Sequence, residues 1–225
     1  MRVLITGASR GIGLQLVLQY LARGDEVIAT LREPEQTPEL RAHASARLKV
    51  IAMDVGSAES VHAAAARCPP GPLHVLINNA ALNGGAQHAP GMDLERAARI
   101  LDINALGPLR VYDAFIERLR AADSPRILVN VSSDSGSLSA FRPSGKPEYA
   151  MSKAALNALT LWQASQEPQV TCVAIHPGWT RTAMGGDSAP ASPEETAARM
   201  VAAIDKLHPE QSGLFLNTDL RPQPW

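Results

Sequence analysis

Along this chain, short continuous apolar runs alternate with longer stretches in which apolar residues return every third or fourth position. The first pattern reads as a strand buried on both faces, the second as a helix with one apolar side. Runs of the first kind lie at Arg2–Thr6, Glu26–Leu31, Leu48–Ala52, Leu73–Asn78, Arg126–Val131, Val170–His176 and Leu214–Leu216. Helices are expected at Ile12–Arg23, Glu35–Ala46, Ala58–Arg67, Leu94–Ala121, Tyr149–Ala164 and Pro193–Leu207. Local punctuation supports several of these bounds. Ser57 and Ser192 suit N-caps, Pro193 a first helical position, and Gly24 the residue just past a helix end. This alternation predicts an α/β fold, a doubly wound parallel sheet of about seven strands with helices on both faces. No repeat or linker interrupts it, so residues 1–225 are read as a single domain.

Composition narrows the function classes. Hydrophobic residues make up 45% and charged residues 19% of the chain, which suits a globular domain with a substantial core. A net charge of −1 gives no electrostatic reason to expect a nucleic acid or an anionic membrane as partner. No apolar run reaches the roughly 18 residues of a membrane helix, and no leader-like segment precedes the first strand, so a cytoplasmic protein is expected. Cys68, Cys172 and the six histidines are scattered without ligand spacing, so neither a metal site nor a disulfide framework is expected. Cys172 reads as a small core residue and His176 as a packed strand end.

In a doubly wound sheet, ligands bind beyond the carboxyl ends of the strands. There the chain places Thr6-Gly7-Ala8-Ser9-Arg10-Gly11-Ile12-Gly13, then Thr30-Leu31-Arg32, Asp54-Val55, Asn79-Ala80-Ala81, Ser132-Ser133 and Pro177-Gly178. Small and hydrogen-bonding residues gather at one edge, which marks a site rather than a core. In the first turn, Gly7 allows a sharp exit from the strand, Gly11 close approach of a ligand, and Gly13 close packing of helix on sheet. The unpartnered N–H groups and positive dipole end of the following helix suit a phosphate. The spacing also contains G-x-S-x-G, but a serine-hydrolase elbow needs an earlier strand and loop to complete its oxyanion hole, and only one strand precedes it here. Asn83–Pro90 and Asp134–Pro147, rich in Gly, Pro and polar residues, are the loops expected over the site.

Tyr149 and Lys153 stand four apart at the start of a helix, so they share a face. A free phenol titrates near 10, and a neighbouring ammonium would favour the phenolate and bring proton exchange toward neutral pH. Ser133 could donate to a substrate carbonyl oxygen, although alone it would pass for an ordinary strand-end or capping serine. Asn104 lies in the long helical stretch with Gly107-Pro108 just after it. Proline has no N–H, so the carbonyl of residue 104 loses its helical partner and must find water or another donor; a structural kink is the plainer reading. Arg10 and Arg32 can fork a phosphate between two guanidiniums, and no acid follows strand two before Glu33, which predicts NADP(H) in preference to NAD(H).

Taken together, Thr6-Gly7-x-x-x-Gly11-Ile12-Gly13, Asp54, Asn78-Asn79-Ala80, Asn104, Ser133, Tyr149-x-x-x-Lys153 and Pro177-Gly178-x-x-x-Thr182 resemble the short-chain dehydrogenase/reductase family, in order and over nearly the whole chain. His176-Pro177-Gly178-Trp179, Met184-Gly185-Gly186, Ser192-Pro193-Glu194-Glu195 and Pro224-Trp225 look most like its compact C-factor/Sniffer group of carbonyl reductases. The resemblance implies a Rossmann-type NAD(P)-binding domain that reduces a small-molecule ketone, aldehyde or quinone to an alcohol. It implies Tyr149 as acid–base group, Lys153 on the nicotinamide ribose, Ser133 on the carbonyl and Asn104 ordering a relay water. Along the cofactor it implies Gly7, Ser9, Arg10, Gly11, Ile12 and Gly13, then Arg32, Asp54 and Val55, then Asn79, Ala80 and Ala81. Beyond Tyr149 and Lys153 it adds Pro177, Gly178, Trp179, Thr180 and Thr182. Four features depart from the family pattern. Ala81 stands where glycine is usual, the segment between Ser133 and Tyr149 is a few residues longer than usual, the Trp162–Gln169 stretch is short and leaves a family-type homodimer open, and the loop after Thr182 is brief. Trp179 and Trp225 are candidate apolar walls for an aromatic or alicyclic ketone, with packing the plainer role for Trp225. A regulator that binds NADP(H) with little turnover is the alternative on the same fold.

Overall fold

The computed structural model describes residues 1–85, 91–141 and 145–225. Seven strands, β1 (Arg2–Thr6), β2 (Glu26–Leu31), β3 (Leu48–Ala52), β4 (Val75–Asn78), β5 (Ile127–Val131), β6 (Thr171–His176) and β7 (Phe215–Asn217), form one sheet in the order β3-β2-β1-β4-β5-β6-β7. Every neighbouring pair is parallel. The order reverses between β1 and β4, so their connections leave in opposite directions and open a crevice at their carboxyl ends.

The strands are apolar on both faces, and alternate residues feed two cores. Val3, Ile5, Val27, Ile77, Val129 and Ile175 meet α1 (Gly11–Ala22) and α7 (Pro193–Ile204). Leu4, Ile28, Ile51, Leu76, Leu128 and Cys172 meet α3 (Ala58–Arg67) and α5 (Gly107–Arg120). Each such fully buried aliphatic side chain contributes about 1.5–3 kcal/mol of transfer free energy, and covering both faces leaves only the rim for polar chemistry. Ser57 caps α3 by accepting from Ser60 N, and Ser192 forms a reciprocal capping box with Glu195 on α7. No helix among the described residues is long and apolar enough to cross a membrane.

Two helices differ from the sequence expectation. Glu35–Ala46 shortens to a 3-10 turn at Pro34–Gln36 and a single helical turn, α2 (Pro38–Ala42), because Pro34 and Pro38 each interrupt backbone donation. The long stretch from Leu94 divides into α4 (Leu94–Leu101), a π-helical turn over Asp102–Leu106, and α5. Pro108 sits in the first turn of α5, where a missing N–H is tolerated, so the kink is expressed as a π turn that carries Asn104. Helix α6 spans Pro147–Gln166, opening on a proline and stopping before Pro168.

Candidate active site

At the carboxyl edge of the sheet, the crevice between β1 and β4 opens into a cavity of about 680 Å³. Gly7, Ser9, Arg10, Gly11, Ile12 and Gly13 line it from the first turn, Arg32 from just after β2, and Asp54 and Val55 from the segment after β3. Asn79, Ala80 and Ala81 line it from the segment after β4, Tyr149 and Lys153 from α6, and Pro177 and Thr182 from the segment after β6. Residues far apart in sequence are thus gathered around one space.

Two glycines are required by contact. A Cβ at Gly7, which has φ +67°, would lie 2.7 Å from the Ala80 Cα; one at Gly13 would lie 2.3 Å from Gly7 O and 2.4 Å from Asn79 Nδ2. Asn79 is the strut behind this fit. Its Nδ2 donates to Thr6 O at 2.9 Å and Gly7 O at 3.1 Å, while Thr6 Oγ1 accepts from Asn79 N and Ala80 N, each at 3.0 Å. It therefore locks the glycine turn to β4. Arg10 occupies the N-cap of α1 without a side-chain cap, leaving the first-turn N–H groups turned to the cavity edge. Arg10 and Arg32 are both exposed and lack ion-pair partners among the described residues. Asp54 is fixed by accepting from Gly56 N at 2.9 Å while its own N–H reaches Ser60 Oγ at 2.9 Å. A glycine cradle, an uncapped helix start, two free guanidiniums and a fixed carboxylate fit a phosphate-bearing dinucleotide.

Across the cavity, Tyr149 and Lys153 occupy one face of α6. Lys153 is 3% exposed, and its Nζ donates to Val131 O at 2.7 Å. Burial lowers the ammonium to about 8. The Tyr149 phenol is pushed up to about 12, chiefly by burial; the Ser133 hydroxyl lowers it and the Asp134 charge raises it. The ammonium lies over the tyrosine ring, 5.6 Å from its centre. The expected direct lowering of the phenol by Lys153 is therefore not what this arrangement produces: the cation is spent on a main-chain carbonyl and faces the ring rather than the hydroxyl. A phenol near 12 remains protonated at neutral pH.

Ser133 follows β5 and caps the 3-10 turn after it, accepting from Ser135 N at 3.2 Å and donating to Asp134 Oδ1 at 3.0 Å. That turn is held against α6, where Asn157 accepts from Ser132 Oγ at 2.6 Å and donates to Gly136 O at 3.3 Å. Asn104 is fully buried and does not line the cavity. Its side chain accepts from Leu82 N at 2.7 Å and donates to Leu82 O and Ser152 Oγ, both at 2.9 Å, so it pins the segment after β4 to α6.

Three expected cofactor residues lie elsewhere. Gly178 and Trp179 line a neighbouring cavity of about 760 Å³ with His176, Glu195 and Arg199. Trp179 is half exposed and donates to Gly185 O at 2.8 Å, and Thr180 is buried against the Thr196 hydroxyl at 2.9 Å. Gly178 has φ +88°, a left-handed conformation that favours glycine. Trp225 packs on Phe215, with ring centres 5.7 Å apart, and its carbonyl accepts from Ser139 N at 2.7 Å, in line with a packing role. His176 is the packed strand end expected, accepting from Asp134 N at 3.3 Å. Residues 86–90 and 142–144 of the two expected covering loops lie outside the described residues.

The cavity also includes Leu82, Arg99 and Ile103, which sequence patterning gave no reason to single out, together with Asn83 and Lys146 of the two expected covering loops and Met184 of the Met184-Gly185-Gly186 motif. Ile103 adjoins Asn104, which was singled out, and that is the local cue to it.

Comparison with known proteins agrees with this geometry. The short chain dehydrogenase profile matches residues 1–193. C-signal of Myxococcus xanthus is 40% identical over 157 residues, 69% of this chain and 94% of its own length. Short chain dehydrogenase gsfK of Penicillium aethiopicum is 32% identical over 99% of this chain and 98% of its own. Among solved structures, NADPH-bound carbonyl reductase from chicken fatty liver superposes with a TM-score of 0.94 at 32% identity, covering 100% of this chain and 98% of that one. Carbonyl reductase Sniffer of D. melanogaster gives 0.95 at 29%, covering 100% and 99%. With a parallel sheet in this order, a glycine cradle at its first turn and the Tyr149–Lys153 pair facing it, the chain belongs to the short-chain dehydrogenase family.

Proposed function

We propose that this protein is an NADPH-dependent reductase of a small ketone, aldehyde or quinone, with Tyr149 as the proton donor. The observation that carries the reading is the meeting of the half-buried Tyr149 side chain and Lys153 with the glycine cradle across one cavity. Bound NADPH would supply the hydride. The glycine turn and the start of α1 would take the phosphates, and Arg10 with Arg32 the extra one. Tyr149 Oη would give its proton to the substrate oxygen, and the Ser133 hydroxyl beside it would hold that oxygen in line. Lys153, anchored on Val131 O, would reach the ribose and keep Tyr149 placed through the shared helix turn. Asn104 would hold Leu82 and Ser152 so that the wall after β4 keeps its distance from α6.

The test is NADPH oxidation with a panel of aldehydes, ketones and quinones. The parent should turn over members of the panel, and Tyr149→Phe should lose on the order of 100-fold or more in kcat while still binding NADPH. NADPH binding without turnover across the panel, unaffected by Tyr149→Phe, would favour a cofactor-sensing regulator instead. The 40% identity to C-signal makes that outcome worth measuring.

A further inference from the structure

Glu148 stands one residue before Tyr149, fully buried in the first turn of α6, and hydride transfer as described makes no use of it. Neither carboxylate oxygen has a hydrogen-bond partner among the described residues. Its ionic neighbour is Arg96 of α4, whose Nη2 lies 3.6 Å from Oε1 and is itself without a hydrogen bond. That separation is too long for a hydrogen bond but leaves an attraction between a fully buried carboxylate and a guanidinium whose side chain is 38% exposed. Both groups close on the backbone of Gly84. A Cβ there would lie 2.4 Å from Glu148 Oε1, 2.5 Å from Ile100 Cδ1 and 2.9 Å from Arg96 Nε. The chain after β4 therefore passes over the pair with no room for a methyl group.

The same face of α6 carries a second link one turn on, where Ser152 accepts from Asn104, which holds both backbone groups of Leu82. Helix α6 thus presents two adjacent i,i+4 pairs. Tyr149 and Lys153 face the cavity; Glu148 and Ser152 face α4, the π turn and the segment after β4. An ion pair that buries its carboxylate without hydrogen bonds adds little stability, and apolar residues of similar volume commonly do as well or better. Stability alone does not account for it.

We propose that Glu148 is a positioning residue: with Arg96 it clasps the Gly84 backbone against the first turn of α6. The clasp fixes Tyr149 relative to the Asn79–Leu82 wall of the cavity. The catalytic half of this inference rests on Tyr149 being the proton donor; the structural half does not.

The experiment replaces both charges with apolar side chains, Glu148→Leu with Arg96→Met, and reads four quantities on the full chain. Thermal stability should stay within a few degrees of the parent, since no lone buried charge remains. NADPH affinity, set by the glycine turn, should stay within about threefold of the parent. The kcat for a carbonyl substrate should fall roughly 10–100-fold, the effect expected when a reacting group shifts by a fraction of an ångström to an ångström. Native-state exchange of the Leu82 amide should quicken by about tenfold, because its bond to Asn104 is no longer braced. Should the double variant fail to fold, Gly84→Ala keeps both charges and displaces the clasp, and the same loss of kcat and faster Leu82 exchange are expected. Parent-like kcat or parent-like Leu82 exchange in the folded variant overturns the proposal. A parent without any carbonyl turnover overturns the reductase reading instead, and Leu82 exchange still decides the clasp.

Discussion

Replacing Lys153 with methionine separates what the ammonium does for folding from what it does for chemistry. The side chain is 3% exposed, and burial lowers it from 10.5 to about 8. That depression corresponds to about 3 kcal/mol against keeping the charge in the folded state at neutral pH. The bond to Val131 O returns about 1.5–3 kcal/mol, the range for hydrogen bonds made by charged groups. Methionine has similar length and no charge, so Lys153→Met at pH 7 should lie between neutral and about 2 kcal/mol more stable than the parent. In a chain of this size that is a Tm equal to the parent's or higher by up to roughly 6 °C. The pH dependence has a definite sign. The unfolded lysine holds its proton up to about 10.5 and the folded one only to about 8, so between these values the unfolded state binds more protons. Parent stability therefore rises with pH through that window, and the advantage of the methionine variant shrinks across it. Over the same series NADPH-linked turnover at neutral pH should fall on the order of 100-fold in Lys153→Met. Thermal unfolding of both proteins between pH 7 and 10, without cofactor, measures the first effect. A drop in Tm of more than about 4 °C at pH 7, or a difference that ignores pH, would refute the reasoning.

Two further outcomes follow from the cavity walls. Arg32→Asp removes a free guanidinium and adds a repelling carboxylate, so the ratio of kcat/KM for NADPH over NADH should fall by roughly 10–100-fold, the worth of one charge-assisted hydrogen bond; equal use of both cofactors by the parent would overturn the assignment. Gly13→Ala places a methyl 2.3 Å from Gly7 O and 2.4 Å from a hydrogen-bonded amide, which should cost about 1–3 kcal/mol in denaturant unfolding and weaken NADPH binding measured by its fluorescence.

Much of the molecule was legible in the chain itself. Seven apolar runs gave seven strands, because a strand covered on both faces must be apolar throughout, and their alternation with helical periods left little choice but a parallel sheet. The glycine turn and the Tyr149–Lys153 spacing were equally readable, since each encodes local backbone geometry: a missing Cβ in one case, one helical turn in the other. Elements set by proline were less so. The π turn under Asn104 and the shortened α2 depend on how neighbouring packing absorbs a missing N–H, which periodicity does not record.

Tertiary structure decided what each polar side chain touches. Asn79 braces Thr6 and Gly7 across 72 residues of sequence, and Asn104 holds Leu82 rather than facing the cavity. Trp179 turns away from the main cavity to a neighbouring one, and Lys153 spends its charge on Val131 O instead of on the phenol. The burial that raises Tyr149 and the Glu148–Arg96 pair behind it likewise arise from α4, α6 and β5 meeting in space. Local geometry follows from short-range sterics and is written in neighbouring residues. Partnership and desolvation follow from which distant segments exclude water together, and only the folded chain fixes them.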